Sequence, residues 1–103
     1  MEISVTKTKQ WMDEGKEVYL LDVRTDEERA LVNIGGVHIP LPDLESRLSE
    51  LDSTKRPWVV YCHHGVRSLY AAQILKMRGY DALSLAGGLD FWSLQVDDTI
   101  LRY

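Results

Sequence analysis

The chain has 103 residues, of which 45% are hydrophobic and 27% are charged, and its net charge is −4. This size and composition predict one globular domain, residues 1–103, with a single core. The acidic balance weighs against nucleic acid and anionic lipid as partners, and no apolar segment is long enough to predict a membrane span.

The cysteine content and the first residues bear on cellular location. Cys62 is the only cysteine, so the chain cannot form an intramolecular disulfide. A lone thiol is best preserved in a reducing compartment. Residues 1–6 lack the basic start and the apolar core of a signal peptide. Together these features predict a cytoplasmic protein.

Segments typical of helices and strands alternate along the first half of the chain. Short continuous apolar runs are typical of strands that are covered on both faces of a parallel sheet. Thr25 and Glu28 have the spacing of a capping box, which marks the start of a helix. The predicted helices are residues 4–14 and 25–31, and the predicted strands are residues 18–23 and 37–39.

The alternation continues in the second half. Leu44, Leu48 and Leu51 recur at helical spacing and predict an amphipathic helix. The predicted helices are residues 43–51, 69–78 and 89–94, and the predicted strands are residues 58–61 and 82–85. Residues 96–103 show no pattern that predicts an element. The expected fold is α/β, with a mostly parallel central sheet of about five short strands and helices on both faces.

Cys62 directly follows a predicted buried strand and is the main candidate for chemistry. A lone cysteine is usually a small buried hydrophobic residue, but here a polar loop with Gly65 leads from it into a helix. Free N–H groups in that loop and in the first helical turn, together with the helix dipole, favour the nucleophilic thiolate. The same groups would bind a small oxyanion, to which Arg67 adds a charge. Ser68 is predicted to cap the helix.

His63 and His64 follow Cys62 and raise two further hypotheses. One is a cysteine–histidine pair of nucleophile and base; however, a base next in sequence rarely faces the nucleophile. The other is a metal site, but one cysteine with adjacent histidines does not have zinc-ligand spacing. Both rings are therefore expected at the rim of the site, and no metal or organic cofactor is predicted.

Three of the carboxylates that precede the loop in sequence are candidates for a role at the site. Asp22 ends a predicted buried strand, where ligand sites are common; alternatively it hydrogen-bonds loop N–H groups or pairs with Arg24. We expect Asp22 and Arg24 to support the site without taking part in the chemistry. Glu27 and Glu28 are adjacent, and adjacent helical positions point apart. Helix capping explains them better than a carboxylate pair.

Three motifs resemble those of the rhodanese-like sulfurtransferases. Residues 62–68 follow the pattern Cys-x-x-Gly-x-Arg-Ser, residues 21–24 are Leu-Asp-Val-Arg, and residues 85–89 are Leu-Ala-Gly-Gly-Leu. The resemblance extends over nearly the whole chain. Residues 32–33 are Val-Asn where the family usually carries Gly-His, a departure that concerns the shape of a structural loop.

The resemblance implies a sulfurtransferase that moves sulfane sulfur from thiosulfate or a related donor to a thiophilic acceptor. Cys62 would carry the sulfur as a persulfide, without a metal or organic cofactor. The backbone N–H groups of His63, His64, Gly65, Val66 and Arg67 would surround it, and the side chain of Arg67 would help to bind the donor anion. Residues 87–103 resemble the ends of rhodanese domains fused to enzymes that adenylate ubiquitin-like sulfur carriers, so such a carrier or a thiol is an expected acceptor.

Two other functions are compatible with this fold. Dual-specificity phosphatases use a loop with five residues between cysteine and arginine, whereas four residues separate Cys62 from Arg67 here. A smaller ring suits a sulfur atom better than a phosphate. Non-catalytic binding or regulatory modules of this type usually lack the cysteine, which this chain retains.

Overall fold

The computed structural model describes residues 1–103 and contains one sheet of five parallel strands with helices on both faces. This confirms the predicted α/β class. The strands are β1 (Glu2–Ile3), β2 (Tyr19–Asp22), β3 (Val37–His38), β4 (Trp58–Tyr61) and β5 (Ala82–Leu85). The α-helices are α1 (Val5–Asp13), α2 (Asp26–Leu31), α3 (Val66–Met77) and α4 (Gly88–Gln95). None of the helices is long and apolar enough to cross a membrane.

The strand order β1-β5-β4-β2-β3 places β4 at the centre of the sheet. All four residues of β4 are buried, and Tyr61 at its end lies in register with Asp22 at the end of β2. The carboxyl ends of parallel strands meet at one edge, where α/β proteins bind their ligands. The sheet therefore delivers Cys62, the residue after β4, to that edge.

Two apolar clusters cover the two faces of the sheet. Because side chains alternate along a strand, Val60 joins one cluster and Val59 joins the other. The first cluster also contains Ala71 and Leu75 of α3, whereas the second contains Trp92 of α4. Strand β4 is continuously apolar because both of its faces are buried.

The predicted helix over residues 43–51 is not an α-helix. Two 3₁₀ segments, Leu41–Asp43 and Glu45–Glu50, replace it. A 3₁₀-helix rises about 2.0 Å per residue against about 1.5 Å for an α-helix, so it covers a longer path with the same residues. Leu44 and Leu51 are nevertheless buried. The leucine spacing identified the core face correctly but not the helix type.

Strand β1 was not predicted. It contains only Glu2–Ile3, too short for any periodicity, and it pairs with β5 at the sheet edge. By contrast, Thr25 forms the predicted capping box with Glu28 at the start of α2. Local capping chemistry can be recognised in sequence, whereas a two-residue edge strand depends on the neighbour that it pairs with.

A buried ion pair anchors the carboxyl edge of the sheet. The side chains of Asp22 and Arg24 are both fully buried, and Arg24 donates from Nε and Nη2 to the two carboxylate oxygens at 2.9 Å each. Arg24 also donates to the carbonyl of Val32, which follows α2, at 2.6 Å. Burial by itself would lower the pKa of Arg24, but its hydrogen bonds with Asp22 and Tyr103 outweigh burial and raise it. Arg24 thus remains charged and ties α2 to β2.

We predict that Asp22→Ala lowers the free energy of unfolding by about 3–5 kcal/mol, because it leaves Arg24 buried without its main counter-charge. Urea denaturation followed by circular dichroism would measure the change. The matched control is Lys9→Ala, which breaks an exposed pair with Asp13 and should cost less than about 1 kcal/mol. Equal losses in the two variants would contradict the role given to the buried pair.

Candidate active site

The loop between β4 and α3 places backbone donors on the sulfur of Cys62. Gly65 caps α3 in the left-handed conformation, with φ of 100°, which favours glycine. The N–H of Gly65 donates to Sγ at 3.1 Å and that of Ser68 donates at 3.3 Å. Cys62 is 1% exposed. The sulfur therefore lies at the N-terminus of α3, where N–H donors and the dipole both stabilise negative charge.

Ser68 is not the helix cap that the sequence predicts. Helix α3 begins at Val66, two residues before Ser68, because Gly65 makes the turn. Ser68 instead lies beneath the sulfur, with its Oγ 3.4 Å from Sγ of Cys62 and 2.7 Å from Oγ of Ser84 in β5. Sequence reasoning missed Ser84, although a buried serine within an apolar strand was an available signal.

The carbonyl side of the loop is held by α4. The N–H of Leu89 donates to the carbonyl of Cys62 at 3.0 Å, and that of Asp90 donates to the carbonyl of His63 at 3.1 Å. A Cβ atom at Gly88 would collide with both carbonyls. Close packing at Gly88 therefore lets α4 bind the loop through its carbonyls, which leaves loop N–H groups free to face the sulfur.

Arg67 pairs with Glu28 of α2. Its Nη1 donates to one carboxylate oxygen of Glu28 at 2.6 Å, and its Nη2 donates to the other at 2.9 Å. The hydrogen bonds from Arg67 are the largest cause that holds the pKa of Glu28 well below its usual range. The pKa of Arg67 is raised by the same pair. Glu28 thus both caps α2 and orients Arg67, a second role that spacing alone did not indicate.

The two histidines form a stack at the rim of the loop. The ring centroids of His63 and His64 lie 3.8 Å apart. The ring of Tyr103 also stacks on His63, with its centroid 3.9 Å away and its plane inclined by 9°. Nε2 of His63 is buried without a hydrogen-bond partner. Burial, and secondarily His64, lower the pKa of His63. Neither ring hydrogen-bonds to Sγ of Cys62, so the geometry gives no support for a cysteine–histidine pair.

His63, His64 and Asp90 have potential metal-binding atoms within 4.8 Å of one another. An imidazole binds a metal through a lone pair in the plane of its ring, and two stacked rings inclined by 25° do not direct these lone pairs to one point. Asp90 also accepts a hydrogen bond from Arg102 at 2.9 Å. This arrangement favours a stacked rim over a metal centre.

Neither Asp22 nor Arg24 forms a hydrogen bond with Sγ of Cys62, whose partners are Gly65 and Ser68. Arg24 donates from Nη1 to the hydroxyl of Tyr103 at 2.9 Å, and that hydroxyl donates to Glu28 at 2.6 Å. Tyr103 is therefore a site residue that sequence reasoning missed. No local pattern marked it, because its position depends on the path of residues 96–103 across the fold.

The model of the family described as "Rhodanese-like domain" matches residues 4–95. The chain therefore belongs to the rhodanese-like domain family, which confirms the resemblance identified in the sequence. A rhodanese-like domain protein from Staphylococcus aureus has a crystal structure that superposes with a TM-score of 0.85, at 28% identity, covering 100% of this chain and 99% of that one.

Two curated relatives carry names that concern sulfur transfer. The "Putative sulfurtransferase YtwF" of Bacillus subtilis is 35% identical over 88% of each chain. The "Probable adenylyltransferase/sulfurtransferase MoeZ" of Mycobacterium tuberculosis is 34% identical over 98% of this chain, which spans only 26% of that protein. The first relative has a similar length, whereas the second carries much additional sequence.

We predict that Glu28→Gln lowers the free energy of unfolding at pH 7 by about 1–2 kcal/mol, because a partly exposed charged pair with Arg67 is lost. Since the pKa of Glu28 is depressed in the folded protein, its contribution is complete above the unfolded value of about 4.3 and disappears as pH falls through the folded value. Urea denaturation of both proteins between about pH 7 and pH 3 would measure the difference.

The control for this prediction is Glu27→Gln. Glu27 is exposed and forms no ion pair, so its replacement should change the unfolding free energy little at any pH in that range. A difference between wild type and Glu28→Gln that stays constant as pH falls below about 4.3 would contradict the assignment.

Proposed function

We propose that the 103 residues act as one cytoplasmic domain that transfers sulfane sulfur from thiosulfate or a related small donor to a thiophilic acceptor, through a persulfide on Cys62. The observation that carries the proposal is the pair of backbone N–H donors on Sγ, from Gly65 and Ser68, at the N-terminus of α3. These donors stabilise a thiolate and then the anion of a persulfide. The chemistry needs no metal or organic cofactor.

The first half-reaction moves one sulfur atom onto the enzyme. The thiolate of Cys62 attacks the outer sulfur of thiosulfate, a sulfur–sulfur bond forms, and the bond within thiosulfate breaks. Sulfite leaves with the electron pair of that bond. We propose that the loop N–H groups of His63, His64, Gly65, Val66 and Arg67 surround the bound sulfur; the N–H of Gly65, which donates to Sγ at 3.1 Å, supports this proposal.

The second half-reaction passes the sulfur on. A thiolate or cyanide attacks the terminal sulfur of the persulfide, and the thiolate of Cys62 leaves with the bonding electrons. No net oxidant or reductant is required, because the acceptor gains the sulfur that the donor lost. The N–H groups that stabilised the attacking thiolate now stabilise the same thiolate as a leaving group.

Arg67 binds the donor anion in competition with Glu28. In the structure, Glu28 occupies both terminal nitrogens of the guanidinium, and the Arg67 side chain is 35% exposed. An incoming sulfonate group would share the remaining donors of Arg67, which offers five N–H groups in a planar fork. Glu28 in this role orients the arginine and limits its attraction for anions.

The comparisons support one class of acceptor. The name of the MoeZ relative joins adenylyltransferase and sulfurtransferase activities in one protein. This supports a ubiquitin-like sulfur carrier, activated by adenylation, as an acceptor alongside low-molecular-weight thiols. Transfer of labelled sulfur from the persulfide to an activated carrier, measured against transfer to a small thiol, would test the preference.

We predict that incubation with thiosulfate adds the mass of one sulfur atom to the protein, and that Cys62→Ser shows no addition. Intact mass spectrometry before and after treatment with cyanide would measure both the gain and its removal. Circular dichroism would check that the serine variant is folded. An unchanged mass in folded wild-type protein would refute the persulfide proposal.

The length of the loop separates this proposal from a phosphatase. Its N–H groups already approach Sγ to 3.1 and 3.3 Å, and phosphoryl transfer needs room for three equatorial oxygens around the nucleophile. We predict negligible hydrolysis of an aryl phosphate by wild-type protein. Inserting one glycine between Gly65 and Val66 should weaken sulfur transfer by at least about tenfold, because the donors move away from the sulfur.

The control for this insertion is one glycine added in the exposed turn at Thr54, which precedes β4, whereas the loop follows it. That variant should keep the wild-type rate of sulfur transfer. Robust hydrolysis of an aryl phosphate by wild-type protein, abolished by Cys62→Ser, would assign the site to the phosphatase class. A binding module would show neither reaction.

A further inference from the structure

Residues 100–103, here called the strap, contact α4, His63 of the sulfur loop, and Glu28. At one end the carbonyl of Ile100 accepts a hydrogen bond from Ser93 of α4 at 2.6 Å. Next, Arg102 donates to Asp90 at 2.9 Å. Asp90 in turn is bound through its N–H to the carbonyl of His63. The strap is thereby fixed to α4 on the side of the loop that carries the histidines.

Tyr103 carries the strap across to the other end of the loop. Its ring stacks on His63, and its hydroxyl donates to Glu28 at 2.6 Å. Glu28 holds Arg67, the sixth residue of the loop counted from Cys62. One side chain therefore connects His63, the residue after Cys62, through Glu28 to Arg67 at the end of the loop.

The contacts of Tyr103 are those of a built site. Tyr103 belongs to no helix or strand and is 37% exposed, yet both its ring and its hydroxyl have partners. Its hydroxyl both donates to Glu28 and accepts from the buried Arg24. Burial and Glu28 raise the pKa of Tyr103 to about 12, so the hydroxyl keeps the proton that it donates at neutral pH. Tyr103 is thus held by the stack of its ring on His63 and by the hydrogen bonds of its hydroxyl with Glu28 and Arg24.

We propose that Tyr103 is a specificity-determining residue: its ring, held against His63 and tied to Glu28, limits the size of the molecules that reach Cys62. A small donor or acceptor passes beside the ring, whereas a bulky one requires the ring to leave both contacts. Which molecules are admitted depends on the proposed function. That Tyr103 restricts access to Cys62 does not depend on it.

Two maleimides with the same reactive group and different size test the restriction. N-ethylmaleimide is small and N-(1-pyrenyl)maleimide is bulky, and each labels Cys62, the only thiol in the chain. We expect Tyr103→Ala to raise the labelling rate of the pyrenyl reagent by about tenfold, because a stacking contact and hydrogen bonds no longer have to break. The rate of the ethyl reagent should stay within about twofold.

Two further variants complete the experiment. Tyr103→Phe keeps the ring stacked on His63 and removes only the hydroxyl, so it should restore most of the wild-type restriction. Tyr70→Ala is the matched control, since Tyr70 is an exposed tyrosine of α3 with no contact to His63 or Glu28, and it should leave both rates unchanged.

The ratio of the two labelling rates decides the proposal. A rise in that ratio for Tyr103→Ala, reversed by Tyr103→Phe, supports a size restriction by the ring. An unchanged ratio overturns it, and so does an equal rise in both rates, because general loosening of the fold exposes Cys62 to both reagents. Since labelling needs only the thiol, the result is independent of whether a persulfide forms.

Discussion

The hydrogen bonds from backbone N–H groups to the Cys62 sulfur are the interaction on which the rest of the site depends. They require the chain to turn at Gly65 in a left-handed backbone conformation, which residues with a Cβ rarely adopt. They also require β4 to lie at the centre of the sheet, so that the turn begins at a fixed, buried point. The sulfur is positioned by backbone geometry, and the surrounding side chains orient that backbone.

Two further elements hold the loop from opposite sides. On one side α4 donates to the loop carbonyls, which close packing at Gly88 makes accessible. On the other side Glu28 of α2 holds Arg67. The buried pair of Asp22 and Arg24 fixes the end of β2, next to α2. Elements that are distant in sequence thus meet at the carboxyl edge of the sheet, which is where a parallel α/β fold gathers them.

Charge at this edge is largely balanced. Arg67 is paired with Glu28, and Arg24 is paired with Asp22. An anionic donor, as proposed for this site, would therefore be held less by excess positive charge than by directed N–H donors near the sulfur. Such donors act at short range, which suits the proposed persulfide, whose terminal sulfur is one atom beyond Cys62. This balance is also consistent with the net negative charge of the chain, −4, which does not preclude a small anionic substrate.

The sequence by itself determined the alternating α/β fold and the position of Cys62 between a buried strand and a helix, because periodicity and capping are local properties. It also identified Thr25 as a cap. Only the tertiary structure decided what the side chains of Glu28, Ser84 and Tyr103 do, because their partners lie many residues away. Hydrogen bonds between distant segments leave no periodic trace in a sequence; they exist only once the sheet has brought those segments to one edge.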